Sequence, residues 1–581
     1  MVTSFFSFLL PLSIYLNSCI STTSSKPLAT KPPATQYNSH KTALADSAVV
    51  STAHPLATKV GLDILKQGGN AIDAAIAVQF ALAVVYPRAG NLGGGGFLVY
   101  RNADGSDIST LDFRERAPSA AKKDMYLDTQ GNVIKGKSRR GHLAAGVPGT
   151  VDGCFKMFEK YSKLKDWKKL VQPAIELAHY GFAITQMESN RLNSNKLDFI
   201  RNNMSSIAFV KPDTTIAWQN GDILIQTELA HTLELIRDNG KAGFYEGENA
   251  DKIVKEMTRG GGLITHEDLK NYESAWRKPI MGKYRNYDII SMPPPSSGGI
   301  ALLQLLGMVE DYPLSTYDFH GVEATHLMVE AERRVYADRS EHLGDADYYP
   351  VQVNKLLNKN YIKNRFKDFK PHKATQSKQI GSGKLADVSE QTTHLSIIDT
   401  EGSAVSLTTT LNDNYGCRTV VAGAGFILNN EMDDFSAKPG DSNLFDAIGG
   451  KANAIQGKKR PLSSMTPTIV TKDGKLFMVL GTPGGTTIIT SVFQCIINVI
   501  DFNMTMSKAV QSRRFHSQWY PDILYIERFG FKQETVKKLQ LMGHNVVERE
   551  NIGAVEAILV HANGKMEGVA DNRGDDDVLG Y

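Results

Sequence analysis

The chain has 581 residues, with 65 basic and 62 acidic side chains and a formal charge of +3. That length allows one large layered domain or two to four ordinary ones, and either has room for a sizeable core. So even a balance excludes a global field for nucleic acid or an anionic membrane and favours small or neutral partners. Four cysteines, at 19, 154, 417 and 495, lack metal-ligand spacing and are too few for a disulfide framework.

The first apolar run, Phe5 to Leu16 ("FFSFLLPLSIYL"), is too short to span a bilayer and suits the core of an export signal, so residues 1–18 are expected to be a signal peptide. "LNSC" then ends on Cys19, and a Ser/Thr/Lys/Pro-rich tether follows over 19–40. The pattern resembles a bacterial lipoprotein signal and makes Cys19 a candidate lipid anchor. Plain signal cleavage or a buried end is the alternative, because the stretch before the apolar run lacks Lys and Arg. Either export route predicts a periplasmic or envelope-anchored protein. No later segment is long and apolar enough for a transmembrane helix.

From Pro55 to Val85 two helical patterns flank "QGGN", and "GNLGGGG" (Gly90 to Gly96) leads into the strand "FLVYR". The glycine run lacks the lysine of a phosphate loop and precedes a strand, so close backbone packing is the better reading. "LDFRERAP" follows, then helices around Val151 to Tyr161 and Leu170 to His179. "SMPPPSSGG" opens a helix at Ile300, and a long helix runs from about Val322 to Leu343. Leu356 to Gln391 is polar and basic and reads as a surface linker.

The linker gives way abruptly to a strand at Thr392, where Leu395 and Ile397 alternate with His394, Ser396 and Ile398. Asp399 to Gly402 supplies a turn, and Ala404 to Asn412 returns. A turn centred on Thr400 and Glu401 sets Thr392 opposite Thr409, with Thr410 and Asn412 within a residue or two. One bulge would swap the faces, so the neighbouring hydroxyl stays open. "RPLSSMTPTIV" ends as a strand, Asp473-Gly474 turns it, "LFMVLGTPGG" is a strand ending in a glycine loop, and Thr486 to Phe502 is a buried helix. Hairpins and helices in this order predict an α+β fold, a four-layer αββα sandwich.

A threonine hydroxyl needs a base beside it to act as a nucleophile, and a free α-amine on the same residue is one such base. Cleavage between Gln391 and Thr392 would give Thr392 both groups at the head of a strand. "TT" alone reads as ordinary β-propensity; its place at a linker-to-strand junction favours the chemical reading.

The ordered series "TTH…TTTLN…NNEMDDFS…RPLSSMTPTIV…GTPGG", with "LDFRERAP", "YADRSEHLGD" and "RRFHSQW", resembles the gamma-glutamyltranspeptidases, which are N-terminal nucleophile hydrolases. The resemblance spans most of the chain after the tether. It implies a proenzyme that cuts itself into a large subunit, 41–391, and a small catalytic subunit, 392–581, which together form the sandwich as a heterodimer. It implies Thr392 as nucleophile with its α-amine as base, and Thr410 hydrogen-bonded to it. Gly484 and Gly485 match the oxyanion-hole donors, and independently they lie where a strand meets a helix N-terminus.

By the same resemblance, Arg114 with Ser463 and Ser464 holds the substrate α-carboxylate, and Asn412, Glu431 and Asp434 hold the α-amine. A zwitterion needs both kinds of partner. Phe445 falls in a glycine-bounded loop resembling the family's lid, where many relatives carry tyrosine. "EMDDF" lacks calcium-loop spacing, so no metal is assigned, and no cofactor is expected. The implied substrates are glutathione and other γ-glutamyl compounds, with water, amino acids or dipeptides as acceptors. Two rivals remain. One is an amidase for poly-γ-glutamate or β-lactam side chains on the same scaffold. The other is an unprocessed envelope lipoprotein that binds γ-glutamyl compounds without chemistry.

Overall fold

A computed structural model describes Met1 and residues 37–204, 206–381, 392–438 and 450–581. Cys19, Gln391 and Phe445 therefore lie outside the described residues, as do the expected signal peptide and tether up to residue 36. Residues 37–40 are docked: Tyr37 Oη donates to Ala183 O at 2.7 Å, and Ser39 Oγ to Asp576 O at 2.6 Å.

Two seven-stranded antiparallel sheets form the centre. One runs, edge to edge, Asp577–Gly580, Val49–Thr52, Thr392–Ile398, Ala404–Thr410, Gly95–Arg101, Ile108–Asp112 and Ala275–Arg277. The other runs Thr42–Ala45, Met566–Ala570, Glu556–Val560, Lys475–Gly481, Thr468–Lys472, Tyr287–Ser291 and Ile280–Tyr284. Both sheets contain strands from before and after residue 392, so a cut there leaves two pieces sharing one core.

Three apolar layers hold the sandwich. Between the sheets pack Val49, Val99, Ile398, Ala404, Ile469, Val479 and Ile558. Outside the first sheet lie helices Pro55–Lys66, Ala71–Val85, Thr150–Tyr161 and Trp167–Tyr180. Outside the second lie Gly298–Val309, Val322–His342 and Thr487–Ile500. This is the expected four-layer αββα arrangement. Ala71–Val85 is buried along its whole length and begins with a capping box of Asn70 and Asp73; its small side chains let it lie flat on the sheet. No described helix is long and apolar enough to cross a membrane.

Two sequence expectations are corrected. The polar stretch after Leu356 is not all linker: Lys359–Phe366 is a helix capped by Asn358, and it buries Ile362 and Phe366 in the outer layer. Two apolar residues one turn apart suffice to dock it. The hairpin register is shifted by one, pairing Thr392 with Thr410 and Ile398 with Ala404. The turn has three residues, not two: Asp399 N donates to Ser403 O at 3.1 Å, and Gly402 takes φ 92°. The Asp399 carboxylate fixes this wider turn by accepting from the N–H groups of Glu401, Ser403 and, on the neighbouring helix, Ala71.

Candidate active site

Side chains two apart on a strand share a face, so the corrected register stacks three polar pairs: Thr392 with Thr410, His394 with Thr408, and Ser396 with Ser406. All face the second sheet. Ser396 Oγ donates to Glu556 O and Ser406 Oγ to Leu480 O, both at 3.0 Å. Thr409 points the other way and gives its hydroxyl to Gly95 O at 2.9 Å. The structure thus chooses Thr410 as the neighbour of Thr392, which is itself 3% exposed. The glycine run is what brings the next strand this close: a Cβ on Gly94 or Gly96 would lie 2.1 Å from Thr410 O or 2.3 Å from Thr408 O.

His394 lies wholly inside this ladder. Its Nδ1 meets Thr408 Oγ1 at 2.8 Å and its Nε2 meets Ser396 Oγ at 3.1 Å. Burial pushes its pKa down to about 3, so the ring is neutral. A Cβ on Gly481 would come 2.3 Å from that ring. Leu480 touches the Ser396–Ser406 row and Gly481 the next, so the strand that carries them leaves its sheet towards Thr392.

It enters the loop 482–486 and then helix Thr487–Ile500. Gly484 has φ 131° and Gly485 φ 61°, conformations that leave their backbone free of side-chain obstruction and that other residues adopt only with strain. Two sequence motifs brace this loop. In "YADRSEHLGD", Tyr336 Oη donates to Thr486 O. In "RRFHSQW", Gln518 Oε1 accepts from Thr486 Oγ1 at 2.6 Å, and His516 meets Thr490 at 2.9 Å.

The charged part of the site begins two residues after Thr410. Asn412, at φ 77°, gives its N–H to Thr410 Oγ1 at 2.7 Å and its side-chain amide to Asn430 O at 2.9 Å. Glu431 follows directly. Arg114, 1% exposed, places Nη1 2.7 Å from Glu431 and Nη2 against Asp434, and it also donates to Pro461 O and Leu462 O. Burial works against its charge, but the carboxylates of Glu431 and Asp434 outweigh this and raise its pKa. Ser463 and Ser464 come next along the chain from Leu462. Asp433, by contrast, turns away and accepts from Ser138.

Sequence reasoning missed several members. Glu115, 3.6 Å from Arg114, is fully buried, and burial pushes it up to about 8 against that guanidinium, leaving it protonated at neutral pH. Arg339 donates to Ser464 Oγ at 2.8 Å. The only signal for Glu115 was its place beside Arg114 in "LDFRERAP"; Arg339 lies in "YADRSEHLGD", where nothing sets it apart from the other charged residues. Away from the site, His326, Glu330 and His544 offer ligand atoms within 4.8 Å of one another. Arg333 and Arg334 already hold the Glu330 carboxylate at 2.8 Å each, and their charge opposes a cation there.

Comparison with known proteins agrees with this geometry. The family model described as Gamma-glutamyltranspeptidase matches residues 57–581. The glutathione hydrolase proenzyme of Escherichia coli K12 is 46% identical over 540 residues, covering 92% of each chain. The crystal structure of Helicobacter pylori gamma-glutamyltranspeptidase is 46% identical, with TM-score 0.56 over 61% of this chain and 99% of its own. A cephalosporin acylase from Bacillus halodurans shares the fold at TM-score 0.81 and 24% identity, over 95% of this chain and 99% of its own.

Proposed function

The chain belongs to the gamma-glutamyltranspeptidase family, and from that premise we propose how its own residues divide the reaction. The protein is a self-processing hydrolase and transferase of the γ-glutamyl group of glutathione and related amides. In the precursor, Thr392 Oγ1 adds to the Gln391 carbonyl carbon, the C–N bond breaks and an ester forms. Water then hydrolyses the ester, leaving the Gln391 carboxylate and a free Thr392 amine.

In turnover that amine takes the Thr392 hydroxyl proton as the oxygen attacks the γ-carbonyl. The N–H groups of Gly484 and Gly485 receive the developing oxyanion, and the proton passes to the departing amine. The resulting γ-glutamyl ester is attacked by water, or by the amine of an amino acid or dipeptide. Thr410 holds the Thr392 hydroxyl in line. Arg114, Ser463 and Ser464 take the α-carboxylate, while Asn412, Glu431 and Asp434 take the α-amine. Arg114 pairs with Glu431 and Asp434, so the cation for the α-carboxylate and the anions for the α-amine lie side by side.

The observation that carries this reading is the Thr392–Thr410 pair at the head of a buried strand. Its test is Thr392→Ala, which should remain one chain on denaturing electrophoresis and hydrolyse no γ-glutamyl anilide. Splitting of that variant at the same bond would assign the cut to an outside protease. A γ-glutamyl-binding lipoprotein without chemistry predicts one band for the parent as well. From the sequence pattern we also place the export signal at 1–18 and a tether after it with lipid attachment at Cys19, shortened at its far end by the docked residues 37–40, and the two subunits on either side of the bond between 391 and 392, in the periplasm or cell envelope. The mass of the purified large fragment tests the first two.

A further inference from the structure

Arg339 stands on the long helix Val322–His342 and is 6% exposed. Its guanidinium joins two serine loops. Nε donates to Ser297 Oγ at 2.9 Å, and Nη2 donates to Ser464 Oγ at 2.8 Å. Ser297 in turn gives both its hydroxyl and its N–H to Ser463 O, at 2.7 and 2.8 Å. The two serines assigned to the substrate carboxylate are therefore held from behind by one cation.

A serine hydroxyl has one hydrogen to give and lone pairs to receive. With an arginine N–H filling a lone pair, what Ser464 offers a ligand is its O–H, and that bond is polarised by the donation it receives. A carboxylate satisfies that O–H, whereas an ammonium would have to use the remaining lone pair against the charge of Arg339. The charge adds to this preference. Burial raises the Asp434 carboxyl and the charges of Arg114 and Arg339 both oppose this, so two buried guanidinium groups act on one carboxylate. We propose that Arg339 is a positioning residue that fixes Ser464 as a hydrogen-bond donor and makes the pocket select donors bearing an α-carboxylate. This rests on the γ-glutamyl reading of the same site.

The experiment compares two anilide donors, γ-glutamyl and 4-aminobutyryl, which differ only by the α-carboxylate. The proteins are the parent, Arg339→Gln and Arg339→Lys. Arg339→Gln should lower kcat/KM for the γ-glutamyl donor about 10- to 100-fold, mainly through KM, as for loss of hydrogen bonds from a charged group. The 4-aminobutyryl donor should be little affected, so the preference between them falls by that factor. Arg339→Lys should restore part of it, keeping the charge without the fork. Self-cleavage reports folding in each variant, and if Arg339→Gln does not fold, the intermediate preference of Arg339→Lys carries the test. An equal loss on both donors, or an unchanged preference in Arg339→Lys, overturns the role of Arg339 and leaves the γ-glutamyl reading standing. A parent that does not prefer the γ-glutamyl donor overturns both.

Discussion

The two halves of the site are built from opposite materials. Around Thr392 there is no formal charge among the paired side chains, only hydroxyls and a neutral imidazole, all positioned by strand register. Around Arg114, in the other half, four ionisable groups crowd together with barely any exposure. The difference follows from what each half must do. An attacking oxygen needs a fixed direction, which backbone geometry supplies at no electrostatic cost. A zwitterion needs charge, and buried charge is stable only when paired. Changes in the first half should therefore remove chemistry, and changes in the second should remove recognition.

The largest expected effect lies on the chemical side. Gly484→Ala would place a Cβ 2.5 Å from Thr487 Oγ1 at a φ of 131°, so the loop must move and its N–H groups with it. Loss of an oxyanion donor costs about 2.7–4 kcal/mol, so kcat should fall roughly 100- to 1,000-fold. A normal kcat at normal melting temperature would place the oxyanion elsewhere.

On the recognition side, Arg114→Lys should keep self-cleavage and lower kcat/KM for γ-glutamyl donors by about 10- to 150-fold, the loss of charge-assisted hydrogen bonds of about 1.5–3 kcal/mol. Arg114→Ala also withdraws the cation from between Glu431 and Asp434, a change of the kind that costs about 3–5 kcal/mol of stability. Self-cleavage lost in Arg114→Lys at unchanged stability would show that the halves are not separable.

A further effect separates the halves by pH. His394 is held near 3 against an ordinary 6.5, so as pH falls below 6.5 the unfolded chain gains a proton that the fold refuses, and stability declines. Glu115 is held near 8 against 4.5, so stability declines as pH rises between those values, because the unfolded chain releases a proton that the fold keeps. Melting temperature plotted against pH should flatten between about 3 and 6.5 in His394→Gln and between about 4.5 and 8 in Glu115→Gln. Curves parallel to the parent's would contradict these assignments.

How far the sequence carries depends on where each determinant lies. The strand beginning at Thr392, the glycine loop before its helix and the helix from Val322 were legible because periodicity and turn residues are local signals. The hairpin register was not, since Asp399 widens the turn by accepting from Ala71, more than three hundred positions away in the chain. Arg339 was hidden for another reason. Every residue of its helix from Ala324 to Ser340 is buried, so charge there has no polar face to mark it. Asp434 came from the resemblance alone, since the contact that turns Asp433 aside, with Ser138, is one no local pattern records.

The central claim is that Thr392 becomes the N-terminus of a separate subunit through its own chemistry. N-terminal sequencing of the purified protein, with intact mass, tests it most directly. The account predicts a small fragment beginning Thr392-Thr393-His394 and containing 581 − 391 = 190 residues. A single uncut chain, or a small fragment beginning at any other residue, would contradict it.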